Sequence, residues 1–306
     1  MGSVDDLMGQ LADSTKRLTK SQLVGLSDMS SSEAKRFKEL WQGLGVVRRR
    51  QIIVQLTIEV GENVELNFDS VFTSCLSDPD EIVRTKAIEG LWECQEPGLI
   101  RILTSLLKDD SSQIVRAAAA KALGVFVLLA ELGEIRQHYA EQLEAALLNV
   151  IKNSTQDLEL RQRALESISY FSHEPIFEVI TEAYRGEEQP MKVSALRAMG
   201  RNLDSRWLTI LLKELSNPQS DIRLEAAKAC GEMGDEKTVI KLIERSEDED
   251  SGVQLAAIQA LGQIGGKRAI NALSGMLKHR EPKVREAARE ALQEAQFVSD
   301  PMSLAI

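Results

Sequence analysis

The stretch DIRLEAAKACGEMGD, Asp221 to Asp235, returns 31 residues later as GVQLAAIQALGQIGG, Gly252 to Gly266. Five positions are identical: Leu224/Leu255, Ala226/Ala257, Ala229/Ala260, Gly231/Gly262 and Gly234/Gly265. Sliding this unit along the chain puts its arginine-type position at Arg84, Arg116, Arg161, Lys192, Arg223, Gln254 and Arg285, in steps of 32, 45, 31, 31, 31 and 31. A period of this size marks a stacked array rather than one globular core. Within a unit, apolar or small residues recur at helical spacing, as Ile222, Ala226, Ala229, Cys230 and Met233 do. Alanine at such positions lets two helix axes approach closely, so this face is read as the surface on which neighbouring units stack.

Each of these helices follows another apolar helix and a polar turn, as in LIRILTSLLKDDS and RWLTILLKELSNPQSD. Asp, Asn and Pro in the turns cap and end helices, so the unit reads helix, turn, helix. Helix pairs with an Asp- and Pro-rich turn, followed by V/I-R-x-x-A-x-x-A-L-G, resemble HEAT repeats. The short 31-residue form resembles the bacterial phycobilisome-lyase type, over Ser30 to Ala295. The resemblance implies an all-α fold, a right-handed α-solenoid of about eight HEAT-like helix pairs, its second helices lining a concave surface. It also implies a ladder in which the second-helix arginine pairs with an acidic turn residue of a neighbouring repeat. Asp78, Asp80, Asp109, Asp110, Asp157, Asp221, Asp248 and Asp250 are available for it, and Gln254 predicts one missing rung.

The ends and one step depart from the period. Residues 1–29 hold Val4, Leu7, Met8, Leu11 and Leu18 and are read as an amphipathic segment, either a cap or a flexible arm. The solenoid is expected over 30–296, opening on the capping-box pattern Ser30-x-x-Glu33, with 297–306 as a frayed tail. The step of 45 exceeds the period by 14 residues, inserted after Gly124 and containing VFVLLAELGEIRQHY. That run is too apolar for an exposed loop, so a longer helix pair is expected around 113–153.

The formal net charge of −10 argues against indiscriminate binding of nucleic acid or anionic membrane. Cys75, Cys94 and Cys230 are sparse and in no CxxC spacing, which reads as a reducing compartment and buried thiols. The start MGSVDDLMGQLADS lacks the pattern of a signal peptide, and the apolar run ALGVFVLLA is too short to span a bilayer. A cytoplasmic monomer is expected.

Catalytic signatures are scarce. The HEAT-repeat enzyme deoxyhypusine hydroxylase holds two irons with four His-Glu dipeptides, and this chain has one, His173-Glu174. No metal, no cofactor and no catalytic residue is expected, and Cys230 is read as core. The candidate partner site lies on the exposed second-helix face. In the middle of the chain it carries Arg163, Glu166, Tyr170, Arg197, Arg201, Glu225 and Lys228, flanked by Glu89, Glu93, Glu290 and Glu294. A mildly basic centre between acidic ends suits a protein partner of acidic or mixed charge. The expected function is a non-enzymatic scaffold or adaptor. The alternative is a phycobilisome-lyase-like accessory protein assisting cofactor attachment or complex assembly, and nucleic-acid binding is third, disfavoured by the acidic charge.

Overall fold

A computed structural model describes residues 4–13, 16–63 and 65–299. The last seven residues of the expected tail, 300–306, lie outside it. Two compact units are present, Met1–Ser167 and Ile168–Ile306. The first contains α1 (Val4–Ala12), α2 (Lys20–Val24), α3 (Ser31–Trp41), α4 (Val46–Glu62), α5 (Asp69–Cys75), α6 (Glu81–Gly90), α7 (Gly98–Asp109), α8 (Gln113–Glu131) and α9 (Gln137–Lys152), and all but the last residue of α10 (Leu158–Ile168). The second contains α11 (Glu174–Arg185), α12 (Gln189–Asn202), α13 (Leu208–Glu214), α14 (Ser220–Met233), α15 (Val239–Arg245), α16 (Ser251–Ile264), α17 (Gly266–Met276) and α18 (Pro282–Ser299). Sixteen of these form eight consecutive helix pairs, α3/α4 to α17/α18, and the described residues contain no strand. The architecture is an all-α solenoid, as the repeat predicts.

The second helices stack directly on one another: α4, α6 and α8 in the first unit, and α12, α14, α16 and α18 in the second. The reason lies at one contact, used three times. A Cβ on Gly200 would lie 2.7 Å from the Cα of Ala229, on Gly231 2.9 Å from that of Ala260, and on Gly262 2.8 Å from that of Ala291. Real Cβ atoms do not approach so closely, so only glycine fits. Both sets of residues recur at 31, and the repeated alanine and glycine of the sequence are the two halves of one joint.

The arginine ladder joins turns as well as helices. Nε and Nη2 of Arg84 hold both oxygens of Asp110 at 2.8 and 2.7 Å, while Nη1 donates to the Asp78 carbonyl of its own turn. Arg223 repeats this with Asp248, at 2.9 and 2.8 Å, and with the Asn217 carbonyl. Each carboxylate also accepts the amide two residues on, from Ser112 and from Asp250, which shapes the turn for the next helix. Arg49 begins the ladder on Asp78 at 2.9 Å. Gln254 keeps only the carbonyl half of the rung, through Ser246, so the ion pair is absent there as the sequence predicts.

The ends are tied by local chemistry. The Ser30 capping box forms, Glu33 accepting the Ser30 amide at 2.9 Å, and a second one forms at Thr19 with Gln22. α1 buries Met8 and Leu11 and packs on α3, where Asp5 meets Arg36. The 14-residue excess is helical: α8 has 19 residues and α9 has 16. By length and composition α8 would serve as a membrane span. This corrects the expectation from the run ALGVFVLLA alone, because the apolar character extends over the whole helix Gln113–Glu131. It packs against α6, α7 and α9 and buries Val115, Ala119, Leu123, Phe126 and Val127, the pattern of a core helix.

Two predictions follow from these joints. Gly231→Val adds atoms where none fit, at a cost of about 1–3 kcal/mol, and should lower the melting temperature by several degrees. Gly275→Ala, in the same unit with nothing within 4 Å of the added carbon, should not lower it; equal shifts in the two would refute the joint.

Asp248 gives a pH-dependent test. Burial alone would raise its carboxyl, but the Arg223 hydrogen bonds, the Asp250 amide and the Arg223 and Arg245 charges outweigh burial and hold it below the ordinary 3.8. A carboxyl lowered in the native state stabilises the fold above its ordinary value, and that contribution is lost as the pH falls below 3.8. Arg223→Gln imitates the Gln254 rung and should reduce stability at neutral pH by up to about 3 kcal/mol. In urea titrations the gap from wild type should narrow below pH 3.8, and a gap constant with pH would contradict this role.

Candidate functional site

Second-helix positions that do not face a neighbour form the exposed face of each unit. In the second unit most of its charge is internally matched. Arg197 grips Glu225 with two hydrogen bonds, 2.7 and 3.0 Å, and Lys228 reaches the same carboxylate at 4.0 Å. Glu225 is only 3% exposed. The Arg201 guanidinium lies 5.9 Å from the Tyr170 ring centre, a cation–π distance. Beside them Tyr184 donates to Glu214 at 2.6 Å, and Lys192 stands over the Tyr184 ring while pairing with Glu214 at 3.4 Å. Burial first, then the Glu214 carboxylate, pushes the Tyr184 hydroxyl up to about 12.

The seven residues read from the sequence therefore divide. Tyr170, Arg197, Arg201, Glu225 and Lys228 belong to the second unit, Arg163 and Glu166 to the first. Arg163 pairs with the buried Glu166 at 3.0 Å and with Glu159 at 3.5 Å. The sequence reading places these basic residues on an exposed face, free for a partner. For Arg197 that premise is corrected, because its partner Glu225 is buried in the next repeat and depends on it.

The first unit holds what the sequence reading missed. A cleft of about 520 Å³ opens on its second-helix face, floored by Ala118, Ala122 and Val125 of α8. Trp92 and Glu89 stand on one side, Glu159 and Arg163 on the other. Trp92 is 54% exposed and Ile114, also lining the cleft, 60%. The register explains the opening. Trp92 stands eight residues after Arg84, where Gly200, Gly231 and Gly262 stand after their own arginine-type positions. Ala122 occupies the place of Ala229, Ala260 and Ala291. An indole stands where the joint requires glycine, and α6 ends at Gly90, two residues before it. The readable signal is the conjunction of Trp92 with Val125, whose register position holds Glu93, Arg201, Glu232 and Glu294 in other repeats.

His173 and Glu174 begin α11; Glu174 pairs with Arg206 at 3.5 Å, and the His173 ring lies 5.7 Å from that of Phe171. Among the described residues no three His, Cys, Asp or Glu side chains gather into a metal-binding group. The three cysteines are buried, and burial pushes the Cys94 thiol up to about 11 and the Cys230 thiol to about 12.

A profile of HEAT repeats matches residues 70–147 and 208–293, more than half of the chain. The chain belongs to the HEAT-repeat family. Among solved structures, this HEAT-repeat chain resembles one chain of the CpcE–CpcF complex of phycocyanin lyase from a Nostoc species. Identity is 17%, the alignment covers 74% of this chain and 94% of that one, and the TM-score is 0.50. It also resembles a chain of the Kap95p–RanGDP structure, at 12% identity and a TM-score of 0.51, over 96% of this chain and 45% of that one. At such identities the likeness is one of fold, and the first supports repeats of the phycobilisome-lyase type. Human deoxyhypusine hydroxylase aligns over 96% of both chains at 17% identity, but a TM-score of 0.37 carries no argument about iron. Comparison with curated proteins by sequence gives no match.

The pairing at Glu225 gives a third prediction. Arg197→Ala leaves a buried carboxylate with one distant cation and should destabilise by about 1–3 kcal/mol. Lys228→Ala, exposed and loosely paired, should stay within about 0.5 kcal/mol of wild type. Chemical denaturation of both variants checks the contrast.

Proposed function

We propose that this HEAT-repeat protein is a non-enzymatic scaffold whose partner is an amphipathic segment of another protein. The observation that carries the reading is the apolar cleft on the second-helix face of the first unit. Its floor of small side chains admits an apolar anchor, and its exposed indole adds aromatic contact area. The rim carries both signs, Glu89 and Glu159 against Lys121 and Arg163. That rim matches a helix with apolar anchors at i, i+3 or i+4 and i+7 and mixed charge beside them. The paired state of Arg163 and Arg197 supports a protein partner over a nucleic acid, whose phosphate chain requires a row of cations available to it. In this reading Arg163 and Glu166 border the docking face of the first unit, and Tyr170, Arg197, Arg201 and Lys228 belong to the separate exposed face of the second unit.

Selection from a displayed random-peptide library tests the proposal without knowledge of the natural partner. Enriched peptides should show helical spacing of apolar anchors. One anchor side chain contributes about 1.5–3 kcal/mol on burial, so Ala118→Arg, which fills the half-exposed floor, should weaken binding by at least about tenfold. Circular dichroism should be unchanged in this variant. Peptides that bind the Ala118→Arg variant as well as wild type would rule out the cleft as the docking site.

A further inference from the structure

We propose a second binding site, in the first unit and separate from the apolar cleft, that takes a phosphate group. It is a pocket of about 580 Å³ between the segment after α1 and the start of α4. Among the described residues that line it, Lys16, Arg17, Arg48 and Arg50 are cationic and none is acidic. Gln51 and Gln55 add amide donors, and Leu18 and Val54 complete the wall. In a chain with net charge −10 this is a local inversion of sign.

The second observation is Arg48. It is 4% exposed, yet it lines the pocket. Its Nε donates to the Leu11 carbonyl at 2.6 Å, and its Nη1 to the Lys16 carbonyl and to Gln51, both at 3.1 Å. Its Nη2 is buried with no hydrogen-bond partner. A buried donor on a charged group left without an acceptor costs more than an ordinary lost hydrogen bond, and an anion seated in the pocket beside the Arg48 guanidinium compensates its charge. Among the described residues no carboxylate lines the pocket to serve instead. Arg50 is held by Asp80 at 2.6 Å on the neighbouring turn, and Lys16 pairs with Asp13 at 3.1 Å while 74% exposed. Arg17 is exposed and makes no ion pair among the described residues.

The donor set selects the chemistry. One carboxylate satisfies one guanidinium fork, whereas guanidinium groups, an ammonium and two amides suit a tetrahedral group with three or four oxygens. The group is inorganic phosphate itself or a phosphorylated side chain of a protein partner, and the same cations recognise both.

Calorimetric titration of the full chain separates these sources. The probes are sodium phosphate and a capped Gly-phosphoserine-Gly peptide, against sodium chloride and the unphosphorylated peptide at matched ionic strength. Saturable binding of at least one phosphate probe is expected. Lys16→Gln with Arg17→Gln, both exposed, should weaken it by about tenfold or more at unchanged circular dichroism, since hydrogen bonds to charged groups are worth about 1.5–3 kcal/mol. Arg48→Lys, which keeps the charge but replaces the three-nitrogen guanidinium with a single ammonium, should weaken it too. A peptide affinity well above that of free phosphate assigns the site to a phosphorylated partner, and equal affinities assign it to the free ion. Heats no larger than those of the chloride control, or binding undiminished in the double variant, overturn the site. Neither result bears on the apolar cleft, which contains none of these residues.

Discussion

The architecture rests on the approach of one glycine to one alanine. At Gly200/Ala229, Gly231/Ala260 and Gly262/Ala291 the second helices meet so closely that a single added carbon is excluded. Close approach sets the distance between repeats, and the other links of the second unit follow from that distance. Arg223 reaches Asp248 across the same spacing, and Arg197 reaches Glu225. Dispersion forces between two backbones are small per atom and fall steeply with separation, so a joint with no side chain between its helices gains most from them.

Where the glycine is missing, the surface changes character. Trp92 occupies the joint register between α6 and α8, and the small side chains of α8 that a glycine of the preceding second helix would have covered remain as the floor of a cleft. The repeat thus carries its variation at one register position. Glycine closes the joint, and a large aromatic residue leaves it open. The longer α8, which buries Val127 and Leu129 beyond the usual repeat length, lies at the same place.

Charge is handled by a similar economy of position. The acidic residues Glu166, Glu225, Asp78, Asp110 and Asp248 sit on or beneath arginines, so that much of the basic charge of the second helices is already neutralised within the fold. A buried carboxylate stabilises only through its partner, which makes these arginines structural before they are recognition residues. The basic pocket beside α4 differs, because among the described residues its lining contains no acid and one of its guanidinium nitrogens has no acceptor.

The 31-residue period, the capping box at Ser30 and the lost rung at Gln254 were legible in the sequence, because each rests on local spacing or on the chemistry of a single residue. From these the helix pairs, their order and the stacking face followed. The availability of charges was not legible. Arg197 and Glu225 are 28 positions apart, and Arg48 and the Leu11 carbonyl 37 apart. The strength of such pairings depends on ångström distances and on burial, and neither has a local sequence signature. For the same reason Trp92 and Ala122, unremarkable in their own helical patterns, became the wall and floor of a cleft only when the tertiary fold set one repeat against the next.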